Sequence, residues 1–475
     1  MKRAALVLFL LVNTLLALAQ TRTAFISGPM QGTVELRTAR IWCEVSSETD
    51  KVTITYRKAN TTAGKTLTYR GKLGESFNPI TFELTGLDFN TTYTYEIEAR
   101  ANHQLFKKSG QFTTTDLWQY RKNFPDFTFL AGSCSYFNEP KVDRNFVEII
   151  NPRTPATPYG GDSSIFATMA KEKANFTLWL GDNWYYREVD FGSAWGLNYR
   201  ASRDRAHAVL QDLWKAMPHY AIWDDHDYGP NNADKSYILK DAAREIFKNY
   251  WPNPSFGENG QGIYTKLSYS DVDFFLMDDR WFRTNDFMSS TVSSSSRDTG
   301  RAAATTANPD KRMWGAAQME WLKNALKGSL ATFKIIVTGS QALNPISTSD
   351  CLQDYPIEFN DLMSFLVREK INGVLFFTGD RHHSEVMKYD RNGTYTLYDV
   401  TSSPLTSGVG RVRDREATNP ARIPGTLVEA QNYTRVSVTG GPRERVLKVE
   451  FLGIKGEKLA EWSVRAGDLR TPSGN

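Results

Sequence analysis

Four short polar clusters each follow an apolar run. In Leu130-Ala131-Gly132-Ser133-Cys134-Ser135, Cys134 ends a strand at a glycine-containing turn. A cysteine there is a metal ligand, a nucleophile, or a buried structural residue. In Leu178-Trp179-Leu180-Gly181-Asp182-Asn183-Trp184-Tyr185-Tyr186, the carboxylate of Asp182 can bridge two cations and the phenol of Tyr185 suits a hard trivalent ion. The competing reading is an aspartate capping the next segment. Ala221-Ile222-Trp223-Asp224-Asp225-His226-Asp227 crowds carboxylates around one imidazole, and these repel unless a cation draws them together. A surface acidic run is the alternative there. In Phe376-Phe377-Thr378-Gly379-Asp380-Arg381-His382-His383-Ser384-Glu385 an apolar strand again breaks at Gly-Asp, with His382 two residues on. Paired surface histidines are the alternative. The chain has only 6 histidines, and His226, His382 and His383 all fall in these clusters.

Open α/β sheets place their sites at the carboxyl ends of strands, and the surrounding elements fit that picture. Strands are expected at Phe127–Cys134, Phe176–Gly181, Tyr220–Trp223, Phe333–Gly339 and Val374–Gly379. Helices are expected at Ser164–Lys173, Ala201–Met217, Lys235–Tyr250, Gln318–Leu326 and Ile357–Lys370. Ile263–Ser268 and Val272–Asp278 read as a hairpin. This alternation predicts a layered α/β domain over residues 117–475, closed by strands such as Arg435–Thr439 and Val446–Leu452. Residues 20–116 read as a small all-β sandwich with strands at Val34–Val45, Val52–Arg57, Thr66–Tyr69, Ile80–Leu84 and Thr92–Ala99. A Ser/Thr/Ala-rich stretch, residues 288–308, interrupts the second domain and reads as a lid or a bland insertion.

The composition bounds the function. With 475 residues, 40% hydrophobic and 23% charged, the chain is a folded, well-cored protein. Its 57 basic and 53 acidic residues nearly balance, so charge gives no case for a nucleic-acid partner. Three cysteines are too few for a disulfide scaffold; Cys43 and Cys351 are the pair that an oxidising compartment could join. Lys2 and Arg3 precede an apolar run from Ala4 to Leu18 that exits through Ala17-Leu18-Ala19. This reads as a cleavable secretory signal over residues 1–19, since the run of about 15 residues falls short of the ~20 that span a bilayer. The mature protein is expected to be secreted or periplasmic, with no spanning segment.

Taken together, the clusters resemble the alkaline phosphatase D (PhoD-like) branch of the metallophosphoesterases. The resemblance rests on Gly132-Ser133-Cys134, Gly181-Asp182 with Tyr185, the run Trp223–Asp227, and Gly379-Asp380-Arg381-His382. Gly28-Pro29-Met30, Asp278-Asp279-Arg280 and Gly315 through Leu322 add to it. It implies a layered αββα catalytic domain preceded by a small all-β sandwich. It also implies metal ligation by Cys134, Asp182, Tyr185, Asp225, Asp380 and His382, with His226 acting on the leaving group. Cys134 stands where the wider superfamily begins with Asp-x-His, and Asp225 where it has Asn. These departures suit a centre of Fe³⁺ plus Ca²⁺: sulfur, phenolate and imidazole around one ion, and carboxylates with the amide of Asn231 or Asn232 around the other. Strand alternation lets only one of Asp224 and Asp225 face the metals.

The activity implied is hydrolysis of phosphate monoesters, with diesters as the alternative. Ions that clamp the phosphoryl oxygens lower the pKa of a bound water, and the hydroxide attacks in line. Arg280 and Arg381 are candidates for gripping phosphate oxygens, as guanidinium forks do, and equally for structural ion pairs. Asn232 is a further substrate contact. Trp184 and Trp281 line a leaving-group pocket or, more simply, the core. Two rivals remain: a thiol hydrolase with Cys134 as nucleophile and His226 as base, and a non-catalytic exported adhesion protein.

Overall fold

The computed structural model describes residues 23–139, 158–284, 311–346, 350–442 and 444–472. The expected signal segment and the serine-rich stretch 288–308 lie outside the described residues. No helix among the described residues is long and apolar enough to cross a membrane.

The amino-terminal part is built from β1 (Phe25–Val34), β2 (Thr38–Val45), β3 (Thr49–Lys58), β4 (Lys65–Thr68), β5 (Asn78–Thr85), β6 (Thr92–Ala101) and β7 (Gln104–Thr113). A sheet ordered β1-β2-β5 faces one ordered β4-β3-β6-β7. Tyr93, Tyr95, Ile97 and Ala99 alternate inward along β6, as a period-two pattern requires. The run expected as one strand, Val34–Val45, is broken at residues 35–37, where the Glu35 amide donates to the Thr38 carbonyl at 2.8 Å. β2 thereby doubles back on β1 and turns Trp42 out of the sandwich. The Trp42 indole donates to the Asn249 carbonyl (2.8 Å). The Arg205 guanidinium lies 4.8 Å from its ring and 4.0 Å from that of Trp251. An aromatic box around a buried cation thus fastens the sandwich to the larger domain.

That domain holds two six-stranded sheets. β8 (Phe127–Gly132), β9 (Phe176–Leu180) and β10 (His219–Ile222) run parallel. β11 (Thr265–Tyr269), β12 (Val272–Leu276), β13 (Phe333–Thr338), β14 (Val374–Thr378), β15 (Glu385–Tyr389) and β16 (Leu397–Thr401) form the second sheet, ordered β11-β12-β13-β14-β16-β15. β17 (Asn432–Thr439), β18 (Val446–Gly453) and β19 (Lys458–Arg465) extend the first, ordered β10-β9-β8-β17-β18-β19. The sheets meet through aromatic rings: Phe129 stacks on Phe176 (5.2 Å) and meets Phe274 (5.2 Å) and Phe377 (5.7 Å). On the outer faces, Trp179 packs on Trp214 of one helix layer (5.5 Å) and Phe275 on Trp321 of the other (6.5 Å). The result is the expected helix–sheet–sheet–helix layering. It explains why β9, β13 and β14 are buried along their whole length.

Three expected helices are shorter or broken: the one expected over Ser164–Lys173 spans only Ile165–Met169. Ala201–Met217 is not continuous: a helix Ala194–Arg205 ends, one 3₁₀ turn follows, and a second helix spans Gln211–Ala216. Gln211 Nε2 and the Trp214 indole both donate to the Arg205 carbonyl (3.0 and 3.1 Å), which satisfies the break. The helix expected from Lys235 starts at Lys240, because Lys235 instead donates its amide to the Arg283 carbonyl (3.0 Å). Cys43 and Cys351 are both buried and no disulfide joins them; the Cys351 thiol instead faces the Asn344 carbonyl at 3.8 Å. Trp184 (0% exposed) and Trp281 (6%) are core residues.

Candidate metal centre

The carboxyl ends of β8, β9, β10 and β14 converge, and each delivers one polar turn. Cys134 follows β8, Asp182 follows β9, Asp225 opens the turn after β10, and Asp380 and His382 follow β14. The backbones interlock there: Cys134 donates its amide to the Gly181 carbonyl (3.3 Å) and Ser135 to that of Asp182 (2.8 Å). Four of the residues adopt left-handed backbone, with φ of 61° at Cys134, 53° at Asp182, 66° at Asp380 and 58° at His382. That conformation costs a non-glycine residue about 1–2 kcal/mol. Neighbouring glycines make the convergence possible. A Cβ on Gly181 would sit 2.7 Å from Asp224 Cβ, and one on Gly379 would sit 2.6 Å from the Leu180 carbonyl oxygen.

Among the described residues two groups of ligand atoms result, each within 4.8 Å: Cys134, Asp182 and His382, and Asp182, Asp225 and His226. Asp182 belongs to both. Its Oδ2 lies 3.5 Å from Cys134 Sγ and accepts from the Tyr185 hydroxyl at 3.0 Å. Its Oδ1 accepts from the His226 amide at 3.2 Å. The Tyr185 hydroxyl also lies 3.4 Å from His382 Nε2, and the His226 ring stacks on Tyr185 at 4.2 Å. The adjacent carboxylates divide. Asp225 faces the centre and accepts from the Asn232 amide (2.7 Å), whereas Asp224 turns to the Arg280 Nε (2.6 Å). Asp227 is a brace: its carboxylate accepts from the amides of Asp224 (2.7 Å), Asn183 (3.0 Å) and Asp182 (3.3 Å).

Burial makes this an unfavourable place for bare acids. It pushes the Cys134 thiol up to about 11. Burial, then the charge of Asp182, drives Tyr185 well above the ordinary phenol range. Burial, then Cys134 and Asp225, does the same for the Asp182 carboxyl. Asp380 is raised by burial too, and its charge bears on both Cys134 and Asp182. Burial holds the His226 imidazole below its ordinary value, which favours the neutral ring. A thiol, a phenol and carboxyls packed together in their protonated forms gain their anionic forms when a cation enters. The donor set of sulfur, phenolate oxygen, imidazole and shared carboxylate therefore fits a metal centre.

The other expected residues are placed differently. Arg280 is fully buried, paired with Asp224 and, at 3.1 Å, with Asp350. Arg381 meets both carboxylate oxygens of Glu416 at 2.6 and 2.7 Å. His383 lies 3.3 Å from Glu385, away from either ligand group. Asn232 presents its backbone, rather than its amide side chain, to Asp225.

Sequence reading missed the supports. Ser403 donates its hydroxyl to Cys134 Sγ (3.2 Å) and accepts from the His382 amide (2.9 Å). The Gly408 carbonyl lies 2.6 Å from His382 Nδ1. With Nδ1 bearing the proton, Nε2 is the basic nitrogen turned toward Tyr185 and Asp182. The Tyr159 hydroxyl lies 3.3 Å from the same Nδ1. Uncharged residues following β16, and a tyrosine from a distant loop, carry no mark of this role in the sequence.

Two parallel-centred sheets with helices outside and an acidic ligand cluster at their shared strand ends define a protein of the metallophosphoesterase fold. The structure is similar to one described as "Structure of PhoD", with TM-score 0.70 and 19% identity, covering 96% of this chain and 93% of that one. It is also similar to purple acid phosphatase PPD1 from yellow lupin seeds, with TM-score 0.62 and 10% identity, covering 92% of this chain and 74% of that one. Residues 129–440 match the model of the PhoD-like phosphatases, and the chain belongs to that family. It is 25% identical over 341 residues to alkaline phosphatase D of Bacillus subtilis (strain 168), covering 64% of this chain. The match spans about half of that relative's length, 53%.

Proposed function

We propose that the protein is an exported, metal-dependent phosphoesterase acting on phosphate monoesters. The observation that carries this is the sharing of Asp182 between two ligand groups, the arrangement a bridging carboxylate needs. Cys134, Tyr185 and His382 would hold one ion beside Asp182, with Fe³⁺ suited to the phenolate and thiolate. Asp225 would share a second ion such as Ca²⁺ with Asp182, the His226 imidazole standing within reach, whereas the Asp380 carboxylate falls outside both ligand groups. When bound, the ions supply charge for the phosphoryl oxygens and acidify water.

The chain's own residues complete the site. His226, neutral and stacked on Tyr185, would offer its ring N–H as a hydrogen bond to the leaving oxygen and so stabilise the charge that develops there. Arg280 Nη1 is buried without an acceptor among the described residues, which leaves one guanidinium N–H for a phosphoryl oxygen. A thiol hydrolase fits poorly, because a fully buried thiol pushed up to about 11 is a weak nucleophile.

Elemental analysis with a visible spectrum tests the assignment. Iron and calcium should copurify, and a tyrosinate–Fe³⁺ absorption band should vanish in Tyr185→Phe. Full activity in a colourless, metal-free preparation would overturn it. Export by residues 1–19 is checked by amino-terminal sequencing of secreted protein, which should begin at Gln20.

A further inference from the structure

Beside the ligand cluster lies a second group of buried charges. Arg280 (0% exposed) and Arg283 (5%) follow β12 on one turn, linked by the Arg283 amide donating to the Arg280 carbonyl at 3.1 Å. Asp350 bridges them: one oxygen accepts from Arg280 Nη2 at 3.1 Å and the other from Arg283 Nη2. Burial opposes the Asp350 charge, but Arg280 and Arg283 outweigh it and hold the carboxyl below its ordinary range.

Three features separate this group from an ordinary ion pair. First, the two guanidiniums share Asp350 while Asp224 takes Arg280 Nε, and three buried N–H positions, Arg280 Nη1 and Arg283 Nε and Nη1, still have no acceptor among the described residues. A phosphate oxyanion presents more acceptor oxygens than a carboxylate and suits paired guanidinium forks. Second, the group adjoins the ligand cluster. The Arg283 carbonyl accepts from the Lys235 amide (3.0 Å), three residues past Asn232, whose own amide holds Asp225. Third, the Asp350 side chain is 20% exposed, against 1% and 6% for the arginine side chains. Asp350 is thus the most exposed member of the group.

We infer that Arg280 and Arg283 form an oxyanion site next to the metal centre, and that Asp350 is a built-in carboxylate occupying it until a phosphate displaces it. Asp350 acts through the two arginines and is a positioning residue that sets affinity for phosphate-type oxyanions. The inference rests on the phosphoesterase reading for its biological ligand, but oxyanion binding itself is independent of turnover.

The test uses purified, metal-loaded protein with inorganic phosphate and sulfate as probes, read by calorimetry, alongside steady-state kinetics on an aryl phosphate. Asp350→Asn should tighten phosphate binding by about fivefold to tenfold, as expected when one charged competitor is removed. Arg283→Gln should weaken it by a similar factor, and the double variant should lose the gain. A parallel drop in KM with kcat unchanged or lower shows that the ester's own phosphate uses the site; tighter phosphate binding without a KM change assigns it to the released product. Unchanged or weaker phosphate binding in a folded Asp350→Asn overturns the inference. Should that variant not fold, crystals of the unaltered protein soaked in sulfate decide. An oxyanion on Arg283 Nε with Asp350 turned aside supports the site, and sulfate only at the Asp182–Asp225 cluster refutes it. Calorimetric gains in a protein with no turnover would refute the phosphoesterase reading and leave this one standing.

Discussion

At the scale of single residues, the site depends on side chains that touch ligands rather than on the ligands alone. The Ser403 hydroxyl joins Cys134 Sγ to the His382 amide. Ser403→Ala should lower metal affinity by about tenfold, the usual cost of losing an outer hydrogen bond to a ligand, and excess metal should restore most activity; metal titration followed by assay checks this. His219 offers a pH probe away from the centre. Burial pushes it down to about 3, between the Trp179 indole (3.1 Å) and the Leu213 carbonyl (2.9 Å). Its folded value lies below the unfolded value of about 6.5, so the unfolded chain takes up a proton that the folded chain excludes. The stability from a neutral His219 is therefore complete above about pH 6.5 and is lost as pH falls toward 3. The unfolding midpoint should drop between about pH 6.5 and 5, above most carboxylate titration, and His219→Asn should flatten that slope.

At the scale of elements, strand ends decide what was readable. Asp182 and Asp380 sit directly after apolar runs that end in glycine, so their place at strand ends was legible in the sequence. Asp224 and Asp225 could not be separated from sequence, because alternation stops where β10 ends and the next turn begins. The fold separates them by giving Asp224 to Arg280. Ser403 and Gly408 were invisible, since a serine and a backbone carbonyl after an unremarked strand, β16, show no charge or spacing signal. The break in Ala201–Met217 was hidden for a related reason: the residues that satisfy it, Gln211 and Trp214, are themselves good helix residues. The glycines at the strand ends make a prediction of their own. A Cβ on Gly379 meets the Leu180 carbonyl at 2.6 Å and Ser133 at 2.8 Å. Gly379→Ala should destabilise by about 1–3 kcal/mol through overpacking and weaken metal binding. A methyl group on Gly441 would meet nothing within 4 Å, so that position should tolerate alanine within about 0.5 kcal/mol; thermal unfolding of both variants distinguishes them.

At the scale of the whole molecule, the centre ties both sheets together. Cys134, Asp182 and Asp225 come from one sheet and His382 from the other, so ions held among them would cross-link the two halves of the domain. Chelation should lower the unfolding temperature as well as abolish activity, by an amount that grows with the logarithm of free metal over its dissociation constant. Calorimetric scans over a series of buffered metal concentrations check the slope. The same scale shows what was legible of the architecture. Layering followed from apolar strands alternating with helices, while the docking of the sandwich through Trp42 and Arg205 did not. A tryptophan on an alternating strand gives no sign of which neighbour it will face.

The left-handed backbone at Cys134, Asp182, Asp380 and His382 sets heat tolerance against turnover. Glycine at any of these positions would relax the torsional penalty while deleting a reactive side chain. Directed evolution judged on thermal survival alone would drift toward inert variants, so a useful campaign must score turnover in every round.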